Sequence, residues 1–217
     1  DSDQGRVHLR AFPADSAAER RRTLRFLARH LRRVPPLNLL DVPQCYRNVR
    51  IERVAAEIVQ REQIDLIHSY FGWPRGFGGL LASAHTGVPL IAGLRGSDVN
   101  TLPDLRYGAR LNPFFDRVFR RTIRRADRTI SVSRFLQRRA IALGARPEAS
   151  TVILKGVKLE RFCADGDRAA ARTAIGVESG SVILAVAGLV PIKGVDTLLE
   201  ALAAVRREGH HFTFLVC

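Results

Sequence analysis

Residues 181–200 read SVILAVAGLVPIKGVDTLLE. The apolar run 182–187 has the composition of a buried parallel strand, and Gly188 ends it. A short loop, 189–192, then carries Lys193 and Gly194 to the mouth of a helix. That helix repeats apolar residues at Val195, Leu198, Leu199, Leu202 and Val205, which is helical spacing. A strand, a glycine-opened loop and a helix start gather backbone N–H groups and a positive dipole end at one point, an arrangement that suits a phosphate. Lys193 adds a full charge beside it. On pattern alone the plainer reading, an ordinary βα connection with a surface lysine, is favoured. The spacing of Gly188 and Lys193 does not fit a P-loop.

Upstream, strands and helices alternate. Val7, Leu9 and Ala11 alternate with polar residues as in a half-buried strand. Ser16 and Glu19 have capping-box spacing and start a helix with apolar positions Leu24, Leu27, Ala28 and Leu31, ended by Pro35-Pro36. A second helix, 48–62, carries the stripe Ile51, Val54, Ala55, Ile58 and Val59. A short strand is expected over 64–68, a helix from near Pro74 to Gly87, and a strand over 88–94. A long polar loop, 95–108, follows. Pro113 opens a helix to about residue 126, a strand runs over 128–132, and Ser133 caps a helix that Gly144 stops. A strand over 151–154 completes the series. Strands separated by helices predict a doubly wound α/β parallel sheet. A domain boundary is expected in the polar run 165–168, with residues 165–217 opening a second domain.

Composition sets bounds on function. The chain has 217 residues, with 46% hydrophobic and 26% charged residues, as in ordinary globular domains. No apolar run approaches the length needed to span a bilayer. The opening residues DSDQGRVHLR contain no apolar stretch of the kind found in secretory signals. Methionine is absent, and the last residues, 212–217, fall in an apolar run, so the sequence is expected to be part of a longer protein. Cys45, Cys163 and Cys217 show no metal spacing and read as reduced thiols, consistent with a cytoplasmic protein. The net charge of +14 comes from 35 basic and 21 acidic residues. Arginine supplies nearly all of the basic charge, since Lys155, Lys158 and Lys193 are the only lysines. The surplus points to a partner bearing phosphates, an anionic lipid or a charged substrate. It does not by itself indicate nucleic-acid binding.

Four stretches together resemble a known family. GLVPIKGVDTLLEAL is similar to the signature that opens the C-terminal domain of retaining GT-B glycosyltransferases of family 4. GVPLIAGLRGSDV resembles the family's "G-v-P-l-v-x-t-x-H-G-x-D", ADRTISVS its "A-D-x-v-i-x-v-S", and VILKGVKLERF its "v-i-p-N-G-v-D-x-x-x-F". They occur in the family's order. The resemblance implies a Rossmann-like acceptor-side domain over 1–164, lacking its first strand, and the start of a nucleotide-sugar-binding domain over 165–217. It implies sugar transfer from a nucleotide sugar to a carbohydrate, lipid-linked or small-molecule acceptor, with retention and without a cofactor or metal. The family's paired glutamates and glycine-rich loop would lie beyond residue 217, so turnover is not expected of these residues alone.

Doubly wound sheets bind ligands beyond the carboxyl ends of their strands. That rule selects His68, Tyr70, Arg95, Asp98, Ser133, Lys155 and Gly188. The resemblance implies catalytic-site positions at Arg95, Asp98 and His68, and donor-diphosphate positions at Lys193, Gly188 and Lys155. A fixed cation beside the leaving diphosphate stabilises its growing charge, so a metal ion is not required. Three positions depart from the family. Gly188 replaces an Arg, Lys155 an Asn, and Arg95 a His. Arg stays protonated and cannot serve as a base, but can hold a hydroxyl or a phosphate. For Asp98 and His68 the plainer readings are a turn residue and a structural imidazole. The remaining histidines show no ligand spacing, so no metal site is expected.

The arginines of helix 113–126 recur at helical spacing beside Phe115 and Phe119. They could form a peripheral contact with an anionic membrane, at its cytoplasmic face, although a solvated outer face is the plainer expectation. The Arg-rich segment 20–33 raises the same possibility. Two rival functions remain. Gly76, Gly78 and Gly79 follow a strand as in a nicotinamide-binding fingerprint, but Leu81 stands where the third small residue belongs. A non-catalytic module binding membrane or nucleic acid rests on charge alone, and no specific nucleic-acid motif is present.

Overall fold

The computed structural model describes residues 16–30, 42–162, 166–177 and 179–217. The strand expected at Val7–Leu9–Ala11 and the Pro35-Pro36 stop lie outside these residues. The chain divides into two compact units, Asp1–Leu154 and Lys155–Cys217.

The first unit holds helices α1 (Ala17–His30) and α2 (Val42–Glu62), then four strands, β1 (Ile67–Tyr70), β2 (Leu90–Leu94), β3 (Arg128–Ser131) and β4 (Ser150–Val152). They are joined by helices α3 (Arg75–Thr86), α4 (Pro113–Arg125) and α5 (Arg134–Ala142). The described sheet has the order β1-β2-β3-β4, and every pair is parallel. This is the α/β parallel architecture expected from the alternation of periods.

Side chains alternate across the sheet. One face carries Ile67, Ser69, Leu90, Ala92 and Leu94, and α3, α4 and α5 cover it. Leu90, Ala92 and Leu94 are fully buried there. They pack with Phe77, Leu81, Val118 and Phe119 from the helices. The other face carries His68, Tyr70, Ile91, Gly93 and Ile130, paired across the strands in register.

Local chemistry explains most boundaries. Asn112 accepts hydrogen bonds from the Phe114 and Phe115 N–H groups and caps α4, with Pro113 in the first turn. Ser133 accepts from the Leu136 N–H at 3.1 Å and caps α5. Gly87, at φ 81°, closes α3 through an N–H donated to Ser83. The Ser16 hydroxyl accepts the Glu19 N–H at 3.2 Å. The Glu19 carboxylate turns instead toward Arg53 on α2, with Arg50 3.8 Å away. So the α1–α2 seam is polar, with Glu19 and Thr23 buried and Leu24 exposed, where the sequence placed Leu24 on the apolar face.

The first strand also departs from expectation. It runs 67–70, not 64–68. Ile64 donates its N–H to the Val59 carbonyl and terminates α2. The ladder begins only where Ile67 donates to the Pro89 carbonyl. His68 therefore lies inside the strand, and Tyr70 ends it.

Three buried glycines explain why α3 can lie so close to its neighbours. A Cβ on Gly78 would meet Ile51 of α2 at 2.4 Å, one on Gly76 the Phe71 carbonyl oxygen at 2.9 Å, and one on Gly79 Leu90 at 3.1 Å. These glycines sit within α3 and serve helix packing, which removes the feature that favoured a nicotinamide-binding loop.

The second unit holds the short helix α6 (Arg168–Ala174), strands β5 (Ser181–Ala185) and β6 (Phe212–Val216), and helix α7 (Val195–Arg207). The strands pair in parallel, Ser181 opposite Phe212. Asp167 caps α6 by accepting the Ala169 N–H at 2.8 Å. This βαβ unit matches the reading of residues 181–205 in its order of strand, opening glycine and helix, but β5 stops at Ala185 and is not buried, with Leu184 and Val186 exposed.

Candidate active site

The loops after β1 and β2 meet at one carboxylate. Asp98 is 2% exposed. Its Oδ1 accepts the N–H groups of Arg95 at 3.1 Å and Gly96 at 2.9 Å, and its Oδ2 accepts that of Gly72 at 2.8 Å. Three N–H groups occupy the two oxygens. The carboxylate is thus an anchor for loop backbone, and proton transfer is not what its geometry favours.

That anchor sets Arg95. Its guanidinium carbon lies 3.8 Å from the centroid of the Tyr70 ring, a cation–π contact. Phe71 packs edge-on against Tyr70, with ring centroids 5.1 Å apart. Phe71 sits at φ 76°, a left-handed conformation that costs a non-glycine residue about 1–2 kcal/mol. The strained turn lets Phe71 donate its N–H to the Gly93 carbonyl while Gly72 reaches Asp98.

His68 stands on the same sheet face as Tyr70. It is exposed, and a Cβ on Gly93 would come within 3.1 Å of its Nε2. Gly93 therefore gives the imidazole room over the sheet. A pocket of about 840 Å³ runs along β1, with Tyr46, Arg47, Arg50, His68, Tyr70 and Arg75 among its lining residues. Of the predicted positions in this unit, Arg95 lies over Tyr70 and is tied to Asp98 through its backbone, His68 shares the sheet face of Tyr70, and Ser133 is committed to capping α5.

The loop after β2 is held from its far end as well. Arg110 donates to the Val99 carbonyl at 2.7 Å and to Asp116 at 2.6 Å, and Arg120 donates to Asp116 at 2.8 Å. Burial alone would raise the Asp116 pKa. Hydrogen bonds and charge from Arg120 and Arg110 outweigh it and hold the carboxyl below its ordinary range.

In the second unit, Pro191–Lys193 forms a single 3-10 turn, and Gly194 at φ 63° leads into α7. Lys193 is exposed and makes no ion pair among the described residues. Gly188 is exposed, and a Cβ built there meets nothing within 4 Å. Lys155 is exposed, beside Gly156, which is equally open. Among the described residues, no group of three His, Cys, Asp or Glu side chains could hold a metal ion, and no helix is long and apolar enough to cross a membrane.

The sequence reading missed the roles of Gly72 and Phe71 and the place of Arg75 in the pocket wall. Gly72 acts through its backbone N–H and through closeness to Phe119, neither of which leaves a pattern in one sequence. The motif Asp127 also proves structural, accepting the Leu90 N–H at 2.8 Å at the start of β2.

Comparison with known proteins follows the same outline. D-inositol 3-phosphate glycosyltransferase of Saccharomonospora viridis is 37% identical over 153 residues, covering 66% of this chain and 34% of that protein. The enzyme of the same name from Kribbella flavida is 34% identical over 152 residues, covering 64% and 33%. The chain thus spans about a third of the length of these curated relatives. Among solved structures, Anabaena HepE in complex with UDP and glucose superposes with a TM-score of 0.61 at 24% identity, covering 84% of this chain and 45% of that one. That likeness shows the GT-B fold. Residues 3–161 match Glycosyltransferase Family 4, and the chain belongs to that family.

Proposed function

We propose that the protein serves transfer of a sugar from a nucleotide-sugar donor to a hydroxyl-bearing acceptor, with retention at the anomeric carbon and without a metal ion. The observation that carries this reading is family membership over residues 3–161. The relatives are named for transfer to D-inositol 3-phosphate, and HepE was solved with UDP and glucose. The relatives' names support sugar transfer, and the HepE complex supports a nucleotide-sugar donor here.

In this reaction the bond between the anomeric carbon and the diphosphate oxygen breaks, and a bond to the acceptor oxygen forms. Negative charge grows on the departing diphosphate. Lys193 beside the start of α7 is the side chain suited to stabilise it, with Lys155 as a second cation. Such cations perform the charge stabilisation otherwise left to a metal. The acceptor hydroxyl must lose a proton. Arg95 cannot take it, because a guanidinium stays protonated. Asp98 is occupied by three N–H groups. With retention, acceptor and leaving group share one face of the sugar, so a departing phosphate oxygen is the base within reach. His68 is suited to orient the acceptor.

A peripheral membrane contact belongs to the same proposal. Arg117, Arg121, Arg124 and Arg125 form an exposed row on α4 and support attraction to anionic lipid. Phe119 is buried and Phe115 stacks on Trp73 against the core, so the contact would be electrostatic, without an aromatic anchor.

Calorimetric titration with UDP tests the donor half. Saturable binding that Lys193→Ala weakens about tenfold or more, and that EDTA leaves unchanged, is the expected result. No binding of UDP, or binding that needs a divalent ion, would count against the reading.

A further inference from the structure

Arg95 is a cation that the protein fixes but does not neutralise. Three observations define it. Its Nε is buried and has no hydrogen-bond partner within the protein. Its guanidinium lies 3.8 Å from the Tyr70 ring centroid. Among the described residues it makes no ion pair, and the nearest motif carboxylate, Asp98, is already saturated by N–H groups from Gly72, Arg95 and Gly96. A buried, unmet donor on a charged group is costly, and side chains that keep one do so most simply when a ligand completes them.

Stacking on Tyr70 fixes the plane of the guanidinium and leaves its edge to recognise a ligand. That edge presents parallel N–H donors, the match for two oxygens of a phosphate or carboxylate. The surroundings suit the same charge. Tyr70 also walls the pocket along β1, where Arg47 and Arg75 appear among the lining residues and, among the described residues, no acidic one does. The neighbouring Gly96 is unobstructed, since a Cβ on it would meet nothing within 4 Å.

We infer that Arg95 is an oxyanion-binding residue, and that the acceptor taken by this protein carries a phosphate or carboxylate. The second half rests on the proposed sugar transfer. There, Lys193 and Lys155 of the second unit take the donor diphosphate, which leaves Arg95 of the first unit for an anion on the acceptor. Arg95 is then a specificity-determining residue, and a neutral acceptor would leave its buried donor unmet.

The test is calorimetric titration of the whole chain, at low ionic strength, with inorganic phosphate, acetate and UDP in separate arms. The variants are Arg95→Gln, Arg95→Lys and, as a control, Arg61→Gln on an exposed arginine of α2. Phosphate affinity should fall at least tenfold in Arg95→Gln. It should fall less in Arg95→Lys, which keeps the charge but loses the planar fork, and remain unchanged in Arg61→Gln. The same order with acetate alone would identify a carboxylate as the anion. UDP binding should be indifferent to all three variants. Equal phosphate and acetate binding by wild type and Arg95→Gln, with both folded by circular dichroism, overturns the inference. Loss of UDP binding in Arg95→Gln reassigns Arg95 to the donor diphosphate and overturns the acceptor assignment. If UDP does not bind but phosphate binds through Arg95, the oxyanion site stands and the sugar-transfer reading fails.

Discussion

The Asp98 carboxylate accepts the backbone N–H of Gly72 at 2.8 Å and so ties the loop after β2 to the loop after β1. The two residues stand 26 positions apart in sequence. Because Arg95 and Gly96 donate to the other oxygen, one buried side chain sets the backbone of both loops that carry the candidate site. Asp98 is a positioning residue, and Arg95 over Tyr70 is what it positions.

Asp98→Ala should therefore leave three N–H groups without their acceptor. A loss of about 3–5 kcal/mol is expected from removal of a buried hydrogen-bonded charge. Asp98→Asn keeps one acceptor oxygen and should lose about 1–3 kcal/mol. Urea unfolding measures both. Equal stability of Asp98→Ala and wild type would show that the loops do not depend on this carboxylate.

Gly72 faces a second constraint. A Cβ there would lie 2.6 Å from the Phe119 ring. Gly72→Ala should cost about 1–3 kcal/mol through overpacking. Phe119→Leu leaves a hole of its own, but the double variant should recover part of the Gly72→Ala loss, because the ring is what the methyl strikes. Strict additivity in a double-mutant cycle would rule out this contact as the cause.

Gly188 offers a gain of function. Nothing lies within 4 Å of a Cβ at this position, and its φ is not in the left-handed region. Arginine fits there without strain and would add a cation to the group assigned to the donor diphosphate. Gly188→Arg should tighten UDP binding by about tenfold, the worth of one charge-assisted hydrogen bond. Unchanged affinity would place Gly188 away from the diphosphate.

Asp116 gives the acid limit of the loop clamp. Burial opposes its ionisation, but hydrogen bonds and charge from Arg120 and Arg110 lower its pKa in the folded state. A carboxyl with a lowered folded pKa contributes stability that is fully present above its unfolded value, near 3.9. That contribution is lost as pH falls through the folded value. Asp116→Asn should cost about 1–2 kcal/mol at neutral pH, and the gap from wild type should close as the pH drops below about 4. A gap that stays constant with pH would show that the carboxylate's charge is not what matters.

The residues themselves determined the alternation of strand and helix, the caps at Asn112 and Ser133, the stop at Gly87 and the βα junction at Lys193, because each depends on neighbours within a few positions. Tyr70 and Arg95 at the sheet's carboxyl edge were legible too, from periodicity, whereas His68 was read as a strand end and lies inside β1. Tertiary structure decided the rest. It moved β1 to end at Tyr70, because Ile64 was drawn into closing α2. It sent Glu19 to Arg53 and exposed Leu24, because α2 offered a buried cation that no local pattern announces. It assigned Gly76, Gly78 and Gly79 to helix packing. Above all, it joined Asp98 to Gly72 and laid Arg95 on Tyr70, since parallel pairing of β1 and β2 brings residues near 70 and 95 together. Local periodicity fixes which residues point the same way along one strand, whereas only the register between strands fixes which of them touch.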